Sequence, residues 1–119
     1  MTGKLFLFHW NAAEAEEIAA EIRGFGFDIT IESSDGARGG KAVKESPPDV
    51  IVIYLIRLPS HGRETAHALK SMKATREIPI VFVDGEGEAL EKTKAKVPDA
   101  IYTSSAKLKS TLSKYLGER

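Results

Sequence analysis

The chain has 119 residues, 42% of them hydrophobic, with no cysteine and with 17 basic residues balanced by 17 acidic ones. That length makes one domain, able to bury about two-thirds of the surface its unfolded chain exposes, so neither a disulfide nor a structural metal is needed. The charge balance excludes a net field that would draw the domain onto nucleic acid or an anionic membrane, and the missing cysteines exclude thiol chemistry.

Met1-Thr2-Gly3-Lys4 and the short run after it lack the length of a signal sequence, and no apolar run approaches a membrane span, so a cytoplasmic location is expected. Lys4-Leu5-Phe6-Leu7-Phe8 is apolar and aromatic, stops at His9-Trp10-Asn11, and predicts a first strand. Asn11 suits the N-cap of a helix from Ala12 to about Arg23, and Glu14 completes a capping box with it. Ala15, Ile18, Ala19 and Ile22 recur at helical spacing, with Glu16, Glu17 and Glu21 mostly opposite. Gly24 and Gly26 end the helix, Phe25 and Phe27 fasten the turn to the core, and Asp28–Ser33 alternates as a second strand should. Ser34-Asp35-Gly36 then opens a weaker helix, anchored only by Ala37, Ala42 and Val43, in which Gly39 and Gly40 cost roughly 1 kcal/mol each against alanine.

The run the sheet is built on is Asp49-Val50-Ile51-Val52-Ile53-Tyr54-Leu55-Ile56-Arg57-Leu58-Pro59, opened by Pro47-Pro48. It is apolar on both alternating faces and rich in β-branched residues, which predicts a central parallel strand covered on both sides. Its end, Tyr54, matters most, because chemistry in open α/β sheets sits outside the carboxyl ends of the strands. Pro59–Gly62 reads as a loop and Arg63 to about Thr75 as a helix carrying Ala66 and Leu69. Pro79–Val83 is a fourth, doubly buried strand ending at Asp84-Gly85; Glu86–Lys96 is a charged helix closed by Val97-Pro98; Ala100–Tyr102 is a short fifth strand. Ser104 or Ser105 caps a last helix carrying Leu108, Leu112, Tyr115 and Leu116. Five strands alternating with five helices over short connections force parallel pairing through right-handed crossovers, hence an α/β, three-layer αβα sandwich.

In order and spacing, Pro48-Asp49-Val50-Ile51-Val52-Ile53 leading into Tyr54, Gly62 eight residues later, Glu77-Ile78-Pro79-Ile80-Val81, and Asp99-Ala100-Ile101 resemble the receiver domain of bacterial two-component response regulators over nearly the whole chain. The resemblance implies a flavodoxin-like, CheY-like sheet with strand order 2-1-3-4-5. It also implies a phosphorylation site, in which an aspartate ending the third strand accepts the phosphoryl group and an acidic pair after the first strand holds magnesium. A hydroxyl after the fourth strand and a lysine after the fifth complete it. On this sequence the acceptor position is Tyr54, the acidic pair is His9-Trp10, the hydroxyl position is Asp84 and the lysine position is Ser104. Every chemical position departs, and Pro59 lies one residue later than the family's loop proline.

Magnesium wants oxygen ligands with at least one or two carboxylates, and of these strand ends only Asp84 supplies one. Tyr54, with an ordinary phenol pKa of about 10 and no base or cation evident beside it, is a poor substitute acceptor. The expectation is a degenerate receiver that is not an enzyme and uses no metal or cofactor. Tyr54 and Trp10 would fill the vacated acidic pocket while Asp84 caps the next helix; alternatively His9, Trp10, Tyr54 and Asp84 converge as a small-molecule pocket. His61 and His67 are not spaced as same-face ligands and read as surface histidines, and Gly85-Glu86-Gly87-Glu88 lacks the lysine of a phosphate loop. Lys92, Lys94, Lys96, Lys107, Lys109 and Lys114 cluster on the last two helices, which the resemblance implies are the face for dimerisation and output. With Ile101 and Tyr102, the lysines at 92, 96, 107 and 109 form the candidate interaction face. The functional expectation is a non-catalytic signalling module acting through a protein partner or a homodimer, with no nucleic acid or membrane contact of its own.

Overall fold

Val50–Tyr54 forms β3 with all of its residues buried, and the sheet extends from it in both directions. The structure, a computed structural model, describes residues 3–116. β1 (Gly3–Phe8) and β4 (Ile80–Val83) flank β3, and β2 (Phe27–Glu32) and β5 (Ile101–Thr103) take the edges. The order is β2-β1-β3-β4-β5 and every pairing is parallel, as expected. Register places Tyr54 beside Val83 and Phe8 beside both Ile53 and Glu32, so the strands end along one rim. The candidate residues at positions 9, 84 and 104 leave the sheet from that rim.

Alternation along each strand sorts the core into two layers. Leu5, Leu7, Val50, Val52, Tyr54, Val81 and Val83 pack under α1 (Ala12–Arg23) and the last helical segment. Phe6, Phe8, Ile51, Ile53, Ile80 and Phe82 pack on the other side with Val43 of α2 (Gly36–Glu45), Ala66 and Leu69 of α3 (Pro59–Ser71), and Val97, which follows α4 (Gly87–Lys96). No helix among the described residues is long and apolar enough to cross a membrane.

Several elements differ from expectation for local reasons. α3 begins at Pro59, so the predicted Pro59–Gly62 loop is its first turn: proline at the start of a helix loses no hydrogen bond and has its φ preset. The helix stops at Ser71 rather than Thr75 because Met72 turns extended, and the Leu69 carbonyl accepts from the Met72 amide and, at 2.6 Å, from Thr75 Oγ1. The last helix is α5 (Leu108–Leu112) between two 3-10 turns, Ser105–Lys107 and Ser113–Tyr115, rather than one continuous helix. In α2, Gly39 is required by packing. A Cβ there would lie 2.3 Å from Phe8 Cε1, so only glycine lets the helix lie this close to the sheet.

Candidate functional site

Asn11 caps α1 as predicted, its Oδ1 accepting from the Glu14 amide at 3.0 Å. The Glu14 carboxylate does not return to Asn11 to complete a capping box. It accepts from His9 Nε2 at 2.9 Å and from the guanidinium of Arg57, which reaches it with Nε at 3.0 Å and with a second nitrogen on the other oxygen. The Arg57 fork, and after it the histidine, hold the Glu14 carboxyl down from the ordinary 4.5 to about 2. An ionised carboxylate only accepts, so His9 Nε2 carries the proton of that bond. Arg57 belongs to the connection between β3 and α3; the bond pins that connection to the first turn of α1.

His9 is fully buried; its ring stands edge-on to Tyr54 with centroids 5.3 Å apart, and Nδ1 has no partner among the described residues. Tyr54 is 4% exposed. Burial, then the negative charges of Glu21 and Asp84, push its phenol well above the usual range, so at neutral pH it is no nucleophile. Trp10 turns to the opposite layer, half-buried, with its ring 5.9 Å from that of Phe8 and 5.8 Å from that of exposed His61.

Asp84 sits at φ +60, a conformation short acidic side chains tolerate, and its amide donates to the Thr103 carbonyl at 3.1 Å. Its carboxylate accepts from the Ser105 amide at 2.8 Å and from the Ser105 hydroxyl. It therefore caps the final helical segment, not the helix that follows it in sequence, whose N-cap Glu86 makes no side-chain bond. Ser104 stands at the N-cap of that final segment without a side-chain cap bond. Of the four strand-end candidates, His9 and Tyr54 touch and Asp84, engaged with Ser105, lies near enough for its charge to act on the Tyr54 phenol, whereas Trp10 packs into the other layer.

These residues do not make a magnesium site. A hard cation needs several oxygen ligands, and the one carboxylate among the family-matched positions is already bound to Ser105. Among the described residues no group of three or more His, Asp or Glu side chains could hold a metal ion.

The predicted interaction face is only partly assembled. Lys92 lies 3.5 Å from Glu88 on its own helix, whereas Lys96 reaches back to Glu64 of α3 at 2.8 Å. Lys109 leans the other way, over the Phe25 ring at 5.8 Å. Ile101 and Tyr102 are half-buried; Tyr102 stacks on Phe82 at 5.2 Å and donates to the Val97 carbonyl at 2.7 Å, with Lys94 over its outer face. Lys107 is exposed.

Sequence reasoning missed Arg57, and it saw Glu14 only as a cap. It also missed the second clamp on the rim, where Glu32 accepts from Arg38 at 2.9 and 2.8 Å and from the amides of Ser34 and Asp35. Arg38, with those amides, holds the Glu32 carboxyl at about 2. The available signal was a lone arginine inside the apolar run before Pro59.

No protein-family model and no curated protein sequence matches the chain. Solved structures do. The receiver domain of a sensor histidine kinase from Pseudomonas aeruginosa, with magnesium coordinated in its active-site cleft, superposes with a TM-score of 0.75 at 21% identity over 99% of this chain and 100% of that one. Chemotaxis protein CheY4 of Vibrio cholerae gives 0.78 at 16% identity over 98% and 100%. The signal receiver domain of a modulated diguanylate cyclase from Desulfovibrio desulfuricans gives 0.70 at 18% over 97% and 90%. At these identities the likeness concerns architecture: the chain has the flavodoxin-like αβα fold of receiver domains, with sheet order 2-1-3-4-5.

Proposed function

We propose that the chain, read as a single receiver-like domain over residues 1–119, is a signalling module that acts by binding a protein partner or a second copy of itself and has lost aspartyl phosphorylation. The observation that carries this reading is Tyr54. It is a buried phenol at the end of β3, backed by the His9 ring, where a receiver would present an acceptor carboxylate to solvent and metal. Phosphoryl transfer to a side chain needs an exposed nucleophile and cations at the developing charge. Here the strand-end arginine is spent on Glu14 and the strand-end carboxylate on Ser105. The fold is shared with the receivers of a sensor kinase and a chemotaxis protein, which favours signalling by contact over an enzymatic role. A small-molecule pocket at the strand ends is the weaker reading, because His9 and Tyr54 fill the space against each other.

The test is an amide correlation spectrum of the labelled chain before and after magnesium with beryllofluoride, a mimic of an aspartyl phosphate. Unchanged peaks are the expected result. Saturable shifts at Tyr54, Asp84 and Ser104 would overturn the reading, since they would mean that the strand ends still accept a phosphoryl group.

A further inference from the structure

Between α2 and α3 runs an open groove of about 500 Å³ with a mostly apolar lining. Its α2 side is built from Gly36, Ala37, Gly40, Lys41 and Lys44, its α3 side from residues between Glu64 and Met72 at the same four-residue interval. Each wall spans nine residues, the α2 wall being about 12 Å of helix and the α3 wall closing on Met72 just past the end of α3. Ala68, Leu69 and Met72 supply the apolar α3 wall.

Gly40 is the informative residue. It has no positive φ, and a Cβ built on it would meet only Leu69 Cδ2 at 4.0 Å, an ordinary contact. The fold therefore has room for alanine there, and a helix interior favours it by about 1 kcal/mol. Gly39 next to it is fixed by Phe8; Gly40 is fixed by nothing inside the molecule, and its missing side chain keeps the groove open.

The charges on the groove are one-sided. Glu64 of α3 is neutralised by Lys96 at 2.8 Å, and Arg38 of α2 is taken up by Glu32. Lys41 and Lys44 are exposed and have no ion-pair partner among the described residues. The α2 rim thus offers two free cations beside an apolar floor. Two helix flanks offer no sheet-edge ladder of backbone donors and acceptors, so an extended strand laid there would find no run of partners for its own amides. A helix arrives with them satisfied.

We propose that the α2–α3 groove docks a short amphipathic helix of a partner protein, one with an apolar stripe against Ala68, Leu69 and Met72 and an acidic flank toward Lys41 and Lys44. This rests on the reading of the chain as a protein-binding module but assigns it a surface other than the last two helices. It is independent of the phosphorylation test, because neither magnesium nor beryllofluoride touches this groove.

The experiment uses a displayed library of 14-residue helical peptides, randomised in both apolar and charged positions and with no acidic bias, selected on the full chain. The expected winners carry two carboxylates three or four residues apart beside an apolar stripe. They shift the amides of Ala37, Gly40, Lys41, Lys44 and Ala68 in the labelled chain. Gly40→Leu, which fills the groove, should abolish their binding while the melting temperature holds or rises. The double variant Lys41→Glu/Lys44→Glu should weaken them at least tenfold. Winners that are neutral or basic, that shift amides elsewhere, or that bind Gly40→Leu equally well would each overturn the proposal, as would a library that yields no saturable binder.

Discussion

Gly39 and Gly40 sit side by side in α2, and alanine substitution should move stability in opposite directions. At Gly39 the new methyl carbon would lie 2.3 Å from Phe8 Cε1, 2.8 Å from Cζ and 3.0 Å from Glu32 Cγ. Phe8 cannot step aside, because it is fully buried, with Phe6 at 4.9 Å on one side and Trp10 at 5.9 Å on the other. Overpacking of this kind costs about 3 kcal/mol where the neighbours are fixed, against about 1 kcal/mol gained from alanine's helix propensity. The net loss of about 2 kcal/mol lowers the melting temperature by about 8 °C in a domain of this size. At Gly40 the nearest atom is 4.0 Å away, so the propensity gain stands alone. That variant should melt about 4 °C higher. Thermal unfolding followed by far-ultraviolet circular dichroism measures both. Equal melting temperatures for the two variants would refute the argument that Phe8 dictates Gly39, and a destabilised Gly40→Ala would refute the claim that the fold has room there.

Folding depresses the carboxyls of Glu14 and Glu32 from the ordinary 4.5 to about 2. Between those values the unfolded chain binds more protons than the folded one, so stability is fully present above about pH 4.5 and declines as pH falls toward 2. Acid titration of the melting temperature should show this decline in the native chain and a flatter curve in the Glu14→Gln/Glu32→Gln variant; superimposable curves would show that the two clamps contribute nothing. Asp84→Ala loses the Ser105 cap and places a Cβ-bearing residue without a local acceptor at φ +60, a combined loss of about 2 kcal/mol. Asp84→Asn keeps an oxygen acceptor and tolerates that φ, so urea unfolding should give it a loss under about 1 kcal/mol. Equal losses would mean that neither cap nor backbone conformation matters there.

The sheet was legible because β3 and β4 are apolar on both faces, a pattern produced by burial between two helical layers, and because glycine and proline mark most of the turns around them. What sequence could not carry was direction across the rim. Asp84 was assigned to the helix that follows it, since capping is read locally. Its positive φ instead turns the carboxylate across β5 to Ser105, a contact 21 residues away along the chain. Glu14 was assigned by the same local rule to Asn11, whereas its carboxylate is taken by Arg57, 43 residues on. A strong local rule was outcompeted in both cases by a charge or donor that only the parallel sheet brings near.

Those two corrections fall on the two connections that leave the central strands, and both connections hold a non-glycine residue in the left-handed region: Leu58 at φ +44 and Asp84 at φ +60. For a bulky residue such as Leu58 that conformation is a true outlier and persists only where its surroundings over-determine it. Here they do: the Arg57–Glu14 fork holds the residue before it and Pro59 fixes the first turn of α3 after it. The consequence is visible at the surface, where Ile56 and Leu58 are each 52% exposed although they belong to the most apolar run of the sequence. The run therefore does two things that its composition cannot separate. Val50–Tyr54 is the buried centre of the sheet, and Leu55–Leu58 is a strained connection pinned by Arg57 to Glu14 in the first turn of α1.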